Sequence, residues 1–557
     1  MSKKDYSPAQ RTLIEAIRRI ETLPVGPSEP ALTFRLQSWA AASAASFDLE
    51  ASAIAAETVE RGAGPVIPGS ASIEPCRTAD GRTADGRTAN SRTADSLIEI
   101  ARQVCGGEAD PRQIAGQALE RIAALNPALN AVVATTPERA LSEASTIAES
   151  LQAGERPPPL AGVPILHKDI ICTRDTPTTA GSELLRGYVP AADAAVVARL
   201  ASSGTILVGK TNTHEFATGT TGTVSCFGPA LNPWDTQRVT GGSSSGSAAA
   251  LAAGLVPAAT GTDTGGSIRI PSACCGTVGL KPTYGRVSRT GVIPFAWSLD
   301  HVGPMARGVA DVAALLTAMS GHDPTDSASA VEPTSDFGAR LSNGIAGLRF
   351  SLPRPHFLQL AREEIAAAVE EAAAVLERLG ARRVEVELPE EMAEVGPAAV
   401  AIFLAEGGSV HACTLESRPE AYQRETLAFL SLAGEVSGRA YVQAQRVRAR
   451  LISGILRVLQ STDLLLTPTL PITAPRLDEK TVEGPAGPVD VRAALTLFTR
   501  PFNLMGLPAL SLPCGFDDGG MPIGLQIVGR PFDEAAVLRA GYAFESATEW
   551  HERRPAI

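Results

Sequence analysis

Aromatic residues, histidines and paired cysteines are scarce in this 557-residue chain. Phe, Trp and Tyr together make up 4% of it, too few to build the stacking platforms that grip single-stranded nucleic acid. The net charge of −11 removes long-range attraction to nucleic acid or an anionic membrane. Eight cysteines are scattered without CxxC spacing, and the adjacent Cys274-Cys275 reads as a small buried apolar pair. The N-terminus, MSKKDYSPAQRTLIEA, carries basic residues but no apolar h-region. No run is expected to reach the roughly 20 apolar residues of a membrane span; the richest, around Ala248 to Thr260, is broken by Gly254 and Pro257. Neither a metal-ligand cluster nor a cofactor motif is visible. These absences predict a soluble cytoplasmic protein with reduced thiols, no metal, no cofactor, and neither nucleic acid nor membrane as partner.

What is present is 44% hydrophobic and 20% charged, ordinary for a globular protein. Residues 77–96 read RTADG RTADG RTANS RTADS. No unit has a large apolar side chain to stack, so residues 76–96 read as a polar linker and a domain boundary. Before it, residues 1–75 form a small helical appendage: Leu13, Ile14, Ile17 and Ile20 fall at helical spacing, as do apolar positions in 36–60. From residue 97 to 557 helical patterns alternate with short β-rich runs. Gly204–Gly209 reads as a buried strand, Gly347–Leu352 and Arg382–Leu388 as strands flanking a helix, and Asp463–Pro468 as another buried strand. The fold class is α/β, with a large, mostly buried mixed sheet flanked by helices.

Three motifs compete for the function. Gly204-Thr-Ile-Leu-Val-Gly-Lys210-Thr211 satisfies the phosphate-loop pattern, but its four central residues are β-formers better used as a strand, which leaves no cradle. Gly242-Ser-Ser244-Ser-Gly246 matches the nucleophile elbow of α/β-hydrolases. The segment before it is mostly polar, however, and none of the histidines after it, among seven in all, has a convincing catalytic context. The third claimant joins two serine-rich loops, Thr240–Ser247 and Gly261–Arg269, to Lys168 at the end of the apolar run from Val163. Ser, Ser and Lys together can replace a histidine triad if the lysine is dry enough to accept a proton.

These segments resemble the amidase signature family. The likeness includes GVPILHKD around Lys168, Gly209-Lys-Thr-Asn212 with Glu215-Phe216, GGSSSGS, GTDTGGSIRIP, Gly279–Arg286, Leu299–Pro304, the Asp463–Pro468 strand and the tail segments Asn503–Pro508 and Pro522–Ile527. It covers roughly residues 97–557. The resemblance implies an amide-type hydrolase with Ser267 as nucleophile, Ser243 as bridging serine after a cis peptide bond from Gly242, and Lys168 as base. Backbone N–H groups of Thr264, Gly265, Gly266 and Ser267 would hold the oxyanion, and Ala217, Thr218 and Gly219 would line a roomy or polar-tolerant acyl site. Asp263 and Arg269 read as a structural pair that fixes the loop. The family's substrates run from small amides to carbamates and ureido compounds, and it includes the glutaminase subunit of a tRNA-dependent amidotransferase. Further expectations from the resemblance are a homodimer and a small helical partner subunit.

Overall fold

The computed structural model describes residues 6–23, 96–484 and 487–557. The repeat linker and the apolar positions of 36–60 lie outside them. An eleven-stranded mixed sheet runs through the centre. Its strands are β1 (Val132–Thr135), β2 (Val163–Lys168), β3 (Thr205–Thr211), β4 (Ala258–Thr262), β5 (Val278–Lys281), β6 (Val302–Ala306), β7 (Arg349–Ser351), β8 (Arg382–Arg383) and β9 (Leu464–Pro468). A separate hairpin pairs β10 (Thr481–Gly484) with β11 (Gly487–Asp490), and β12 (Ala509–Phe516) and β13 (Pro522–Val528) complete the set. The order in the sheet is β1-β3-β2-β4-β6-β5-β12-β13-β9-β7-β8. β2 is parallel to both β3 and β4, and β9, β7 and β8 are mutually parallel, while the central pairings are antiparallel.

Residues alternate along each strand between two apolar cores, as period two requires. On β6, Val302 and Ala306 enter one core and Met305 the other; on β2, Val163 and Ile165 oppose Leu166. Helices cover both faces, so β2, β3, β4 and β6 are buried throughout. β8 is only two residues long, shorter than the stretch to Leu388 read from the sequence, because its single neighbour β7 is itself a three-residue strand.

The N-terminal helix Pro8–Thr22 starts at a capping box in which Ser7 and Gln10 exchange hydrogen bonds. It buries Ile14, Ile17 and Ile20 against the helices Val395–Ser417 and Gly438–Ser461. Arg19 pairs with Glu394 at 2.6 Å, and Tyr6 Oη donates to Glu435 Oε1 at 2.8 Å. The covered segment corrects one expectation: Glu390–Ser417, mean hydropathy 1.4, is long and apolar enough to cross a membrane by length and composition. Here 61% of its most apolar stretch is buried, because an all-round apolar helix must be wrapped on several sides.

Candidate functional site

Because β2 and β4 are parallel neighbours, their C-terminal residues Lys168 and Thr262 meet at one edge. Lys168 is fully buried, and its Nζ donates to Ser243 Oγ and to Thr262 Oγ1, each at 2.7 Å. Burial pulls its basicity down from the usual 10.5 to about 7, against the opposing pull of Asp263 and Asp300. An ion pair with the adjacent Asp169 is not formed. Asp169 lies 3.5 Å from Lys210 Nζ instead.

Ser243 sits in the loop ahead of the helix Ser245–Ala252, and the Gly242–Ser243 peptide is cis. Its carbonyl accepts from His214 N and Thr213 Oγ1, both at 3.1 Å. That helix is built from small residues and is buried end to end. A Cβ on Gly246 would strike the backbone of Ala131 and Asn212, so this glycine serves close packing. Ser244 Oγ is bonded to Thr262 O at 3.3 Å within the core, which is not the exposed position an elbow serine needs.

The second loop runs from the end of β4 to the helix Arg269–Cys275 and carries Ser267. Ser244 N donates to Ser267 O at 3.2 Å, lacing the two serine loops together. Ser267 is 6% exposed, and no described residue hydrogen-bonds to its hydroxyl. The loop is held by a buried network: Asp263 and Arg269 form a two-pronged pair at 3.0 Å and 3.0 Å. Arg269 further donates to Thr499 O, Gln526 Oε1 and Asn503 Oδ1. Against the upward push of burial, its neighbours, Arg269 foremost, hold the Asp263 carboxyl far below the usual carboxylate range. The four amides expected to face an oxyanion are not equally placed. Gly266 N–H donates to Asp263 Oδ1 at 2.8 Å, so its amide is engaged in holding the loop. Thr264, Gly265 and Ser267 have backbone amides without an acceptor among the described residues. Gly266 is required for another reason: its φ is 137°, and a Cβ would collide with Thr499 and Ile270.

The segment 217–219, expected to line the acyl site, packs closely against its neighbours. A Cβ on Gly219 would collide with Cε1 and Nε2 of the His214 imidazole, so this glycine makes room for that ring. Thr218 Oγ1 donates to Glu215 O at 2.8 Å, and Ala217 is 6% exposed at φ 58°. Lys210 lies within β3, not beyond it; its Nζ is buried and donates to Ile171 O and Thr178 Oγ1 at 2.7 Å each. Thr211 Oγ1 is bonded to Ser247 Oγ at 2.8 Å. Neither is free to hold a phosphate.

Two site residues escape sequence reasoning. Thr262, the second partner of Lys168, is visible only once strand register is known. His214 is fully buried next to Ser243, with neither ring nitrogen hydrogen-bonded. Burial, then Arg492, then Lys168 push its basicity well down, so the ring is neutral. Among the described residues no group of three or more His, Cys, Asp or Glu side chains is placed to hold a metal ion.

The family model "Amidase" matches residues 113–538. The A-type component of the glutamyl-tRNA(Gln) amidotransferase of Chloroflexus aggregans is 43% identical over 476 residues, 82% of this chain and 96% of that protein. Among solved structures, one described as a vestigial protein complex that reveals the evolutionary origins of an s-triazine catabolic enzyme superimposes with a TM-score of 0.79 at 36% identity. It covers 83% of this chain and 100% of the other. A 6-aminohexanoate cyclic dimer hydrolase complexed with substrate gives 0.76 at 31% identity, covering 83% and 99%.

Proposed function

The chain belongs to the amidase signature family, and from that membership we propose that it hydrolyses a carbon–nitrogen bond of a small amide through an acyl-enzyme on Ser267, with Ser243 relaying the proton to Lys168. The observation that carries this reading is the buried Lys168 Nζ, 2.7 Å from Ser243 Oγ, with its basicity drawn down to about 7. Such an amine is unprotonated in a large fraction of molecules at neutral pH, where an ordinary lysine is almost fully charged. Ser267 Oγ attacks the carbonyl carbon and its proton passes to Ser243 Oγ as the proton of Ser243 passes to Nζ. The amides of Thr264, Gly265 and Ser267 are the donors assigned to the developing oxyanion; one such donor is typically worth about 3–4 kcal/mol of barrier. Collapse of the intermediate expels the nitrogen, which takes the proton back from Lys168 along the same relay. Water then repeats the sequence on the ester, releasing the acid and restoring the serine.

The test is labelling with a fluorophosphonate followed by peptide mapping. An adduct on Ser267 that disappears in Lys168→Ala supports the relay, whereas an adduct on Ser244 overturns it. Similarity to an amidotransferase component supports a second reading, a glutaminase-type subunit that needs a partner. Turnover of simple amides by the chain alone favours the first reading, and turnover of glutamine only after a partner is added favours the second. A carbamate or ureido substrate fits the same chemistry, and that substrate series belongs in the same assay.

A further inference from the structure

Arg500 stands beside the nucleophile loop and has no role in the relay. It follows Thr499, whose Oγ1 donates to Gly265 O at 2.7 Å and whose carbonyl accepts from Arg269 at 2.9 Å. Its guanidinium lies over the ring of Phe403, 5.7 Å from the centroid, and a Cβ on Gly265 would meet that same ring at 3.2 Å. Arg500 is therefore anchored one aromatic ring away from the loop that carries Ser267. Its Nη2 donates to Thr496 Oγ1 at 2.5 Å, while its Nε is shut off from solvent and has no acceptor among the described residues. No carboxylate among the described residues lies within ion-pair distance of it. The neighbouring cation Arg492 is already spoken for by Glu425 at 3.2 Å. Burial and Arg492 lower Arg500 to about 10, which leaves it charged at neutral pH.

An uncompensated cation in a half-buried site is costly unless something anionic joins it. A second observation, independent of Arg500, also calls for a ligand. The His214 side chain is 1% exposed, neither ring nitrogen is hydrogen-bonded among the described residues, and its Nε2 stands 3.9 Å from Glu425 Oε1 with its backbone tied to Ser243. Glu425 Oε1 lies 3.9 Å from His214 Nε2 and 3.2 Å from Arg492 Nη1, so His214 and Arg492 meet at one carboxylate, and Arg492 precedes Arg500 by eight residues. We propose that Arg500 binds a carboxylate carried by the substrate, and that the enzyme prefers amides bearing such an anion close to the reacting carbonyl, with the imidazole of His214 offering a further polar contact. The planar fork of Arg500 suits a carboxylate's two oxygens. This inference rests on Ser267 being the acylated residue.

The experiment compares matched amides that differ only in the anion: succinamic acid against butyramide, and glutaramic acid against valeramide. In the native sequence the carboxylate member of each pair is expected to have the higher kcat/KM by about 100-fold, chiefly through KM. Arg500→Gln should bring that ratio close to one, and Arg500→Lys should leave it in between, because charge remains while the fork is lost. A native preference for the neutral amide, or a ratio unchanged in Arg500→Gln, overturns the proposal. Titration of the same four compounds into Ser267→Ala, with and without Arg500→Gln, reads the anion site without hydrolysis. Binding that depends on the carboxylate and on Arg500 supports the proposal even if no amide is turned over, in which case the failure lies with the acyl-enzyme reading. Carboxylate-independent binding overturns it.

Discussion

Replacing Lys168 with methionine keeps the length and burial of the side chain and removes only the amine. Holding that amine neutral at pH 7, when a lysine in the unfolded chain titrates near 10.5, costs about 5 kcal/mol; this is the displacement to about 7 converted at about 1.4 kcal/mol per pH unit. The methionine variant escapes this cost but leaves the buried hydroxyls of Ser243 and Thr262 without their partner, at about 1–3 kcal/mol each. The two effects offset, so Lys168→Met should unfold within a few degrees of the native protein at pH 7 while hydrolysis falls by about 10³-fold or more. The pH dependence supplies the sign. Between about 7 and 10.5 the unfolded chain binds one more proton at this position than the native state, so native stability rises with pH across that window. Below about 7 the lysine is protonated in both states and the penalty is constant. The methionine variant lacks the rise. Correspondingly, kcat/KM of the native enzyme should climb about tenfold per pH unit up to an apparent pKa near 7 and then level off. Thermal unfolding of both proteins at pH 6, 7.5 and 9, with a pH–rate profile, measures all of this. A variant that loses more than about 4 kcal/mol while keeping the native pH dependence would refute the reasoning, since it would mean a charged, ion-paired lysine.

Four other outcomes are expected. Ser267→Ala should abolish acylation by a fluorophosphonate, whereas Ser244→Ala, which loses only the bonds of Ser244 Oγ to the Thr262 backbone, should retain it at a stability cost of about 1 kcal/mol. Arg269→Met leaves Asp263 buried and uncompensated and should cost about 3–5 kcal/mol in denaturant unfolding. Lys210→Met strands Asp169 in the same way, with a comparable loss of about 3–5 kcal/mol; adenosine triphosphate should not shift the melting temperature of the native protein, as it would if Gly204–Thr211 were a phosphate loop. Ile17→Ala opens a cavity under the N-terminal helix and should cost about 2–5 kcal/mol, measured by thermal unfolding against Arg18→Ala on its exposed face.

Much of this was legible in the chain because it depends on local pattern. Val163 to Leu166 is a continuous apolar run, and such runs become strands buried on both faces, so β2 was readable and with it the dry setting of Lys168. The helical spacing of Ile14, Ile17 and Ile20 pointed to the face that is indeed buried. The apolar stretch within Glu390–Ser417 does not stand out as one run in the chain, because Pro397, Glu406, Gly407, Gly408 and His411 interrupt it. Thr262 as a partner of Lys168 was unreadable, since nothing local distinguishes it from the other threonines of GTDTGG until β2 and β4 are set side by side.

The sequence by itself determined the family, the α/β class and the identity of the three residues proposed to do the chemistry, because these reside in contiguous motifs whose residue types are individually unusual. Tertiary structure alone decided which groups surround them. The Gly266 amide was claimed by Asp263, the space beside Gly219 by His214, and the flank of the nucleophile loop by Arg500, which lies 233 residues after Ser267. The physical reason is that hydrogen-bond saturation and charge compensation are settled between segments remote in the chain. A motif records what a residue is, and only the fold records which of its donors remain unspent.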